Sequence, residues 1–393
     1  MKERGGQRMG SIIRRTLAGA ALGVSLALAV AAGPHATAAT RDIMHGVFDA
    51  IAYLLPLSVR DAESTSEWDR ELIDGKLKVL RESSAELVAH TKEQTPEFAF
   101  LARSFDETVH DIDASFREEW PSYAYFSLME LTQHCVACHG QNPSEAKNEF
   151  SQRLLARVNT EIFDDSELAQ LYVATRQFDA ALGTLERKLM DPKQDAVDLD
   201  IAGIPLEYLA VALGVAAEPA RAERFLGKFA QRPDAPRYLR QRLAHWQARL
   251  QALAPMLEKT PDLDTARGLF NAASGEFKGM RDRTAAIDDL VTASLLRRFV
   301  GAQSPATGPA VAEAYHMLGV IALRTMEPKY SVPEMEVLFA SAIKADPQGP
   351  FAQSSYVLLE EFGYVRDVPL ARADAEASKL IDMAELRRVM GLK

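Results

Sequence analysis

Cysteine is almost absent: the chain has two in 393 residues, Cys135 and Cys138. That excludes a multi-bridge disulfide framework of the kind small exported folds depend on. Runs that alternate apolar and polar residues, as a half-buried strand requires, are missing, so no sheet is expected. Basic charge is in deficit, 45 Lys and Arg against 55 Asp and Glu, for a formal net charge of −10. Phosphate backbones need the opposite sign, which removes nucleic acid from the expected ligands. Long apolar runs are missing as well, except at the start. What is present is a chain 47% hydrophobic and long enough to bury a sizeable core in two or three domains.

The start differs from the rest. Arg4, Arg8, Arg14 and Arg15 precede the uncharged run LAGAALGVSLALAVAAG, and a small-residue site, Ala36-Thr37-Ala38, follows. This order of basic, apolar and small segments predicts a secretory signal peptide over residues 1–38 and hence an exported, periplasmic protein. The run ends in Gly33-Pro34 with no charged anchor behind it, so membrane association is not expected after cleavage. Around Arg14-Arg15, Ile13 and Thr16-Leu17 fit a twin-arginine address poorly. Residues 1–38 carry a net +4 from Lys2, Glu3 and four arginines, and their removal takes the formal charge from −10 to −14. Residues 39–140 hold nine Lys or Arg against nineteen Asp or Glu, net −10, which leaves −4 for residues 141–393.

Between the leader and the cysteines the pattern is helical. Arg41 to Leu55 places apolar residues at 44, 48, 51 and 55 and stops at Pro56. Ser66 caps a second helix running to about His90, with Ile73, Leu77, Leu80 and Leu87 in one stripe. Thr95-Pro96 opens a third, along which Phe98, Leu101, Phe105, Val109, Ile112 and Phe116 step by three and four. A fourth is predicted from Pro121, carrying Phe126, Met129 and the cysteines before Gly140 stops it. A new helix then begins near Asn142-Pro143.

The cysteines lie at the end of that fourth helix, in HCVACHG. Two cysteines three apart close too small a loop for a disulfide to stabilise much. A thioredoxin-like redox pair calls for a βαβ context, which is lacking. Zinc needs two further ligands, and no second Cys or His pair stands at ligand spacing. Cys-x-x-Cys-His meets another requirement: two thiols reach the two vinyl groups of one haem while the adjoining imidazole faces the iron. Cys135 and Cys138 are the expected thioether anchors and His139 the proximal ligand of one covalent haem c per chain.

With the motif at the end of four short-linked helices, residues 39–141 resemble the class II c-type cytochromes, the cytochrome c-prime group and its low-spin relatives. The resemblance implies a four-helix bundle with haem between helices one and four, helix one supplying a methionine ligand or leaving the sixth site open. Met44 stands in that helix. His45 is the alternative, because the family often has a basic residue four positions before the ligand and Arg41 has that spacing to His45. Met also fills ordinary cores. His134 is expected to point away from Cys135 towards solvent, and His90 and His110 lie at polar faces or helix ends. Tyr123, Tyr125 and Phe126 suit a haem edge or ordinary core packing. Under the ordinary class I alternative the sixth ligand would be Met190.

Residues 142–393 continue as helix after helix, punctuated by Pro192, Pro205, Pro219, Pro233, Pro261, Pro333 and Pro347. ELAQLYVATRQFDAALGTLERKLMDP, 167–192, resembles a degenerate tetratricopeptide repeat. A second match runs from Ala314, Tyr315, Leu318 and Gly319 through Phe339 and Ala342 to Ala345-Asp346-Pro347. Such repeats form an α-solenoid whose concave face holds a protein partner. Residues 260–308 read as a less regular pair or an insertion. Asp164-Asp165 and Asp288-Asp289 read as solvated acids at helix starts, and His245 and His316 as isolated. The expectation is an all-α, exported monohaem cytochrome, a non-enzymatic electron carrier whose repeats dock a redox partner basic at its docking face. The alternative is a haem protein that binds or senses NO or CO at an open iron site.

Overall fold

The computed structural model describes residues 38–56, 67–91, 96–117, 160–276, 283–303, 306–325, 332–366 and 383–392. It also describes Ser127, Leu128, Leu131, His134, Cys135, Cys138, His139, Leu155, Ala156 and Val158. Among them every regular element is a helix, so the chain is all-α. The leader, apart from Ala38, lies outside the described residues, as do Pro121, Tyr123, Tyr125, Phe126, Met129 and the 140–145 turn.

Three helices begin the described chain: α1, Ala38–Leu54, α2, Glu67–His90, and α3, Pro96–Arg117. The stripes read on α2 and α3 are the buried ones, Ile73, Leu77, Leu80 and Leu87 on one and Leu101, Phe105, Val109 and Ile112 on the other. Each such side chain contributes about 1.5–3 kcal/mol by leaving water. On α1 the buried stripe is rotated from the expected one: Ile43, Val47, Ala50 and Leu54 join Ile51 and Leu55 inside, while Met44 and Phe48 are half-buried at the margin. A Cβ on Gly46 would lie 2.5 Å from Ser83 Oγ, so α1 and α2 approach closely there. This N-terminal core also takes in Leu128, Leu131, Leu155, Val158, Phe163 and Leu171.

Leu171 belongs to α4, Asp165–Ala174. Asp164 caps it: its carboxylate accepts from the Ser166 and Glu167 N–H groups, and the Glu167 carboxylate accepts from the Asp164 N–H at 2.9 Å. α4 is apolar on two sides. Leu171 enters the N-terminal core, Ala169 and Val173 enter a second core, and Tyr172 packs against both.

The second core is built by α5, Phe178–Met190, α6, Ala196–Ile201, α7, Ile204–Leu209, α8, Pro219–Ala230, α9, Arg237–Leu257, α10, Leu263–Glu276, α11, Ala286–Gly301, and α12, Pro309–Thr325. A π-helical turn, Ala210–Val215, extends α7. The stretch read as irregular contains α11, which is buried on nearly all sides and carries Ile287, Val291, Leu295 and Leu296 inside. Its polarity comes from Asp288 and Asp289, which are not solvated but buried, beside Arg249 and Arg324 respectively.

α13, Val332–Ala345, packs against α12, where a Cβ on Gly319 would come within 2.5 Å of the Phe339 ring. α13 also meets α3. With α14, Pro350–Arg366, and α15, Met383–Met390, it forms a third, smaller core around Met335, Phe339, Ile343 and Tyr356.

Candidate functional site

The described residues of the motif segment are helical, and Cys135 borders the N-terminal core. Both cysteines are half-buried free thiols. The Cys135 Sγ–H donates to the Leu131 carbonyl at 3.7 Å, and burial pushes the thiol up to about 12. A redox Cys-x-x-Cys needs an acidic thiol, so this environment moves Cys135 away from that chemistry.

His134 is not the solvent-facing residue expected. Its Nε2 lies 2.9 Å from Ser104 Oγ on α3, and its ring stands edge-on to Phe105. The polar contact is available because Ser104 is buried on the face of α3 turned towards the motif segment.

His139 Nδ1 lies 2.5 Å from the carbonyl oxygen of Ala174, the last residue of α4. A carbonyl can only accept, so Nδ1 carries the hydrogen and Nε2 keeps its lone pair. Burial pulls the His139 ring down to about 4, and the nearby Arg176 cation adds to this while the Ala174 carbonyl acts the other way. At neutral pH the ring is therefore neutral, in one tautomer and one orientation. That is the state in which an imidazole ligates a metal, with the second nitrogen held by an outer partner.

Local rules at the end of α4 explain why that carbonyl is free to accept. The last four carbonyls of a helix have no partner within it. A Schellman turn satisfies two of them: the Arg176 N–H donates to Val173 O at 2.9 Å and the Gln177 N–H to Tyr172 O at 2.7 Å. The Ala174 carbonyl is satisfied by His139 instead. Arg176 occupies the left-handed position of the turn, φ 58°, where glycine is usual. Its side chain is half-buried, burial lowers its basicity while Cys138 partly offsets this, and its charge acts on His139. Neither Ala174 nor Arg176 was among the expected site residues. The signal for both was an arginine standing where the hairpin turn calls for glycine.

Met44 and His45 are half-buried on α1, and Met44 borders the same core as Cys135. Met190 is the last residue of α5 and 41% exposed, an open surface position. His110 is exposed, 3.9 Å from Asp106. His316 is not isolated: its Nδ1 lies 2.9 Å from Ser355 Oγ, and its ring packs between Phe339 and Phe351.

Among the described residues no three His, Cys, Asp or Glu side chains gather as a metal cluster, and no helix is long and apolar enough to cross a membrane. Compared with protein-family models, with curated proteins and with solved structures, the chain finds no match in any of the three.

Proposed function

We propose that the chain is an exported c-type cytochrome that carries single electrons on one covalent haem. Cys135 and Cys138 would form the thioethers and His139 would be the proximal ligand. The observation that carries this reading is the state of His139. It is half-buried and neutral, and its Nδ1–H donates to the Ala174 carbonyl, which leaves Nε2 as the ligating atom of a residue directly beside the two thiols.

When bound, the haem would supply a reversible one-electron couple. The protein's part is to hold it and to tune it. Leu128, Leu131 and the residues of α1 and α3 around them give an apolar wall beside Cys135. Such a wall excludes water and raises the potential of a His/Met centre. Met44, at the edge of the buried stripe of α1, is the proposed sixth ligand, and His45 stands one position on. The helices α1, α2 and α3 with the motif segment support a four-helix haem domain over 39–141. The α4–α5 and α12–α13 hairpins, at the positions marked by the repeat pattern, support a tetratricopeptide-like stack that docks the redox partner. The acid excess of residues 39–140 would steer a partner of basic surface. The leader pattern supports export to the periplasm, the side of the membrane on which this attachment chemistry is carried out.

The test is chemical. The exported full-length chain, denatured in acid acetone, should keep its red colour, and Cys135→Ser with Cys138→Ser should lose it. Colour that washes out of the native chain would end the reading. In the loaded protein, Met44→Ala should convert a reduced form inert to CO into one that binds it. CO binding by the unaltered protein would instead favour gas binding at an open site.

A further inference from the structure

We propose that the turn between α4 and α5 is a working part of the iron site. Ala174 aims the ring of His139, and Arg176 is a positioning residue whose cation favours the reduced state. This rests on the haem reading above and goes beyond it, because it draws into the site a hairpin that the repeat pattern assigns to partner docking.

Three observations converge on the turn. The first is the 2.5 Å contact between His139 Nδ1 and the Ala174 carbonyl, which ties the proximal ligand to a helix 35 residues further along the chain. That carbonyl stands at the negative end of the α4 dipole and strengthens the donor character of the ring.

The second is backbone strain. A side chain in the left-handed region costs on the order of 1 kcal/mol relative to glycine, and the Schellman turn here is complete in its hydrogen bonds whichever residue fills the position. The backbone therefore prefers glycine at 176, and the arginine is held against that preference.

The third is where the side chain goes. It is half-buried, it starts two residues on from the carbonyl that His139 meets, and its charge acts on both Cys138 and His139. Arginine stays charged under such conditions. A fixed cation beside the ligand opposes the extra positive charge of the oxidised centre and so favours the reduced one. One electron from the redox partner is all that is exchanged; no bond forms or breaks.

A purely structural Arg176 and a tuning Arg176 predict different results for Arg176→Gly. Glycine suits the turn, so this variant of the full chain should keep its covalent haem and melt no lower than the parent. Its midpoint potential should nevertheless fall, with the ligation spectrum unchanged. Arg176→Gln should lower the potential in the same direction, and Arg176→Lys should stay close to the parent. Equal potentials in the parent, the Gly and the Gln variants would overturn the proposal, as would a Lys variant as low as Gln. If the Gly variant fails to fold, the Gln and Lys pair decides. A parent chain that never binds haem sinks the cytochrome reading and this proposal together, whereas a loaded chain indifferent to these substitutions sinks only this one.

Discussion

The helices before the motif and those after it are held together by different means. In α1 to α3 the cores are apolar stripes with a buried acid, Asp113, held by Arg81 at 3.3 Å and Arg117 at 3.0 Å, while other pairs such as Lys76 with Asp49 at 2.7 Å lie at the rim. In α5 to α12 arginines reach from one helix to the next. Arg221 on α8 holds Glu186 on α5, Arg242 on α9 holds Asp200 on α6, and Arg249 on α9 holds Asp288 on α11. Arg267 on α10 likewise holds Glu313 on α12, and Arg324 on α12 holds Asp289 on α11. Asp200, Asp288 and Asp289 of the second region are thus held in its interior, whereas in the first Asp113 is buried and Asp49 and Asp74 stay at the surface.

The largest effect that separates the two regions is expected from Arg324→Ala. Asp289, 4% exposed at the side chain, would be left without its cation. Breaking such a pair costs about 3–5 kcal/mol, to be read from urea unfolding near pH 8. In contrast, Lys76→Ala at the rim should cost less than about 1 kcal/mol. A loss of similar size in both would erase the distinction.

Close helix approaches give a second, smaller contrast. Gly319→Ala drives a methyl into the Phe339 ring, which sits in a filled core, and should cost about 1–3 kcal/mol in the same measurement. Gly46→Ala meets the Ser83 hydroxyl, which can rotate away, so its effect should be clearly less.

The contrast extends to pH dependence. Burial pushes the Asp289 carboxyl up to about 7, with Arg324 opposing and Asp288 adding to the rise. The folded chain then holds this proton more tightly than the unfolded one. Its contribution to stability is full below about 4 and is lost as pH climbs through about 7. Asp234 has the other sign: the Arg232 hydrogen bond chiefly holds its carboxyl down at about 2, so its contribution is present above about 4 and lost as pH falls. Thermal melting of Asp289→Asn and Asp234→Asn against pH should flatten the slope on the neutral side in one and on the acid side in the other.

The sequence pattern exposed α2 and α3 almost residue for residue, because a helix buried on one face writes its stripe at intervals of three and four. On α1 the same rule missed by a rotation. Its apolar residues cover more than one face, and periodicity alone does not choose between Ile43 and Met44 for the deeper place. The Cys-x-x-Cys-His spacing at 135–139 is read from the sequence alone, since the proposed attachment is a local demand. The motif's outer contacts are not: the Ala174 carbonyl is a backbone group, and Ser104, which meets His134, is an unremarkable position on α3. Asp288 and Asp289 were misread for a related reason. A charged pair in a first helical turn suits solvent, and the arginines that bury it come from α9 and α12.

The two-sided burial of α4 has a practical consequence for anyone dissecting the molecule. A fragment ending at residue 141 would strip Leu155, Val158, Phe163 and Leu171 from the first core and take away the acceptor of His139. One that runs on through Met190 would keep both but bare Ala181, Leu182, Leu185 and Leu189, which pack into the second core, so the hairpin ties the two cores together rather than marking a cut.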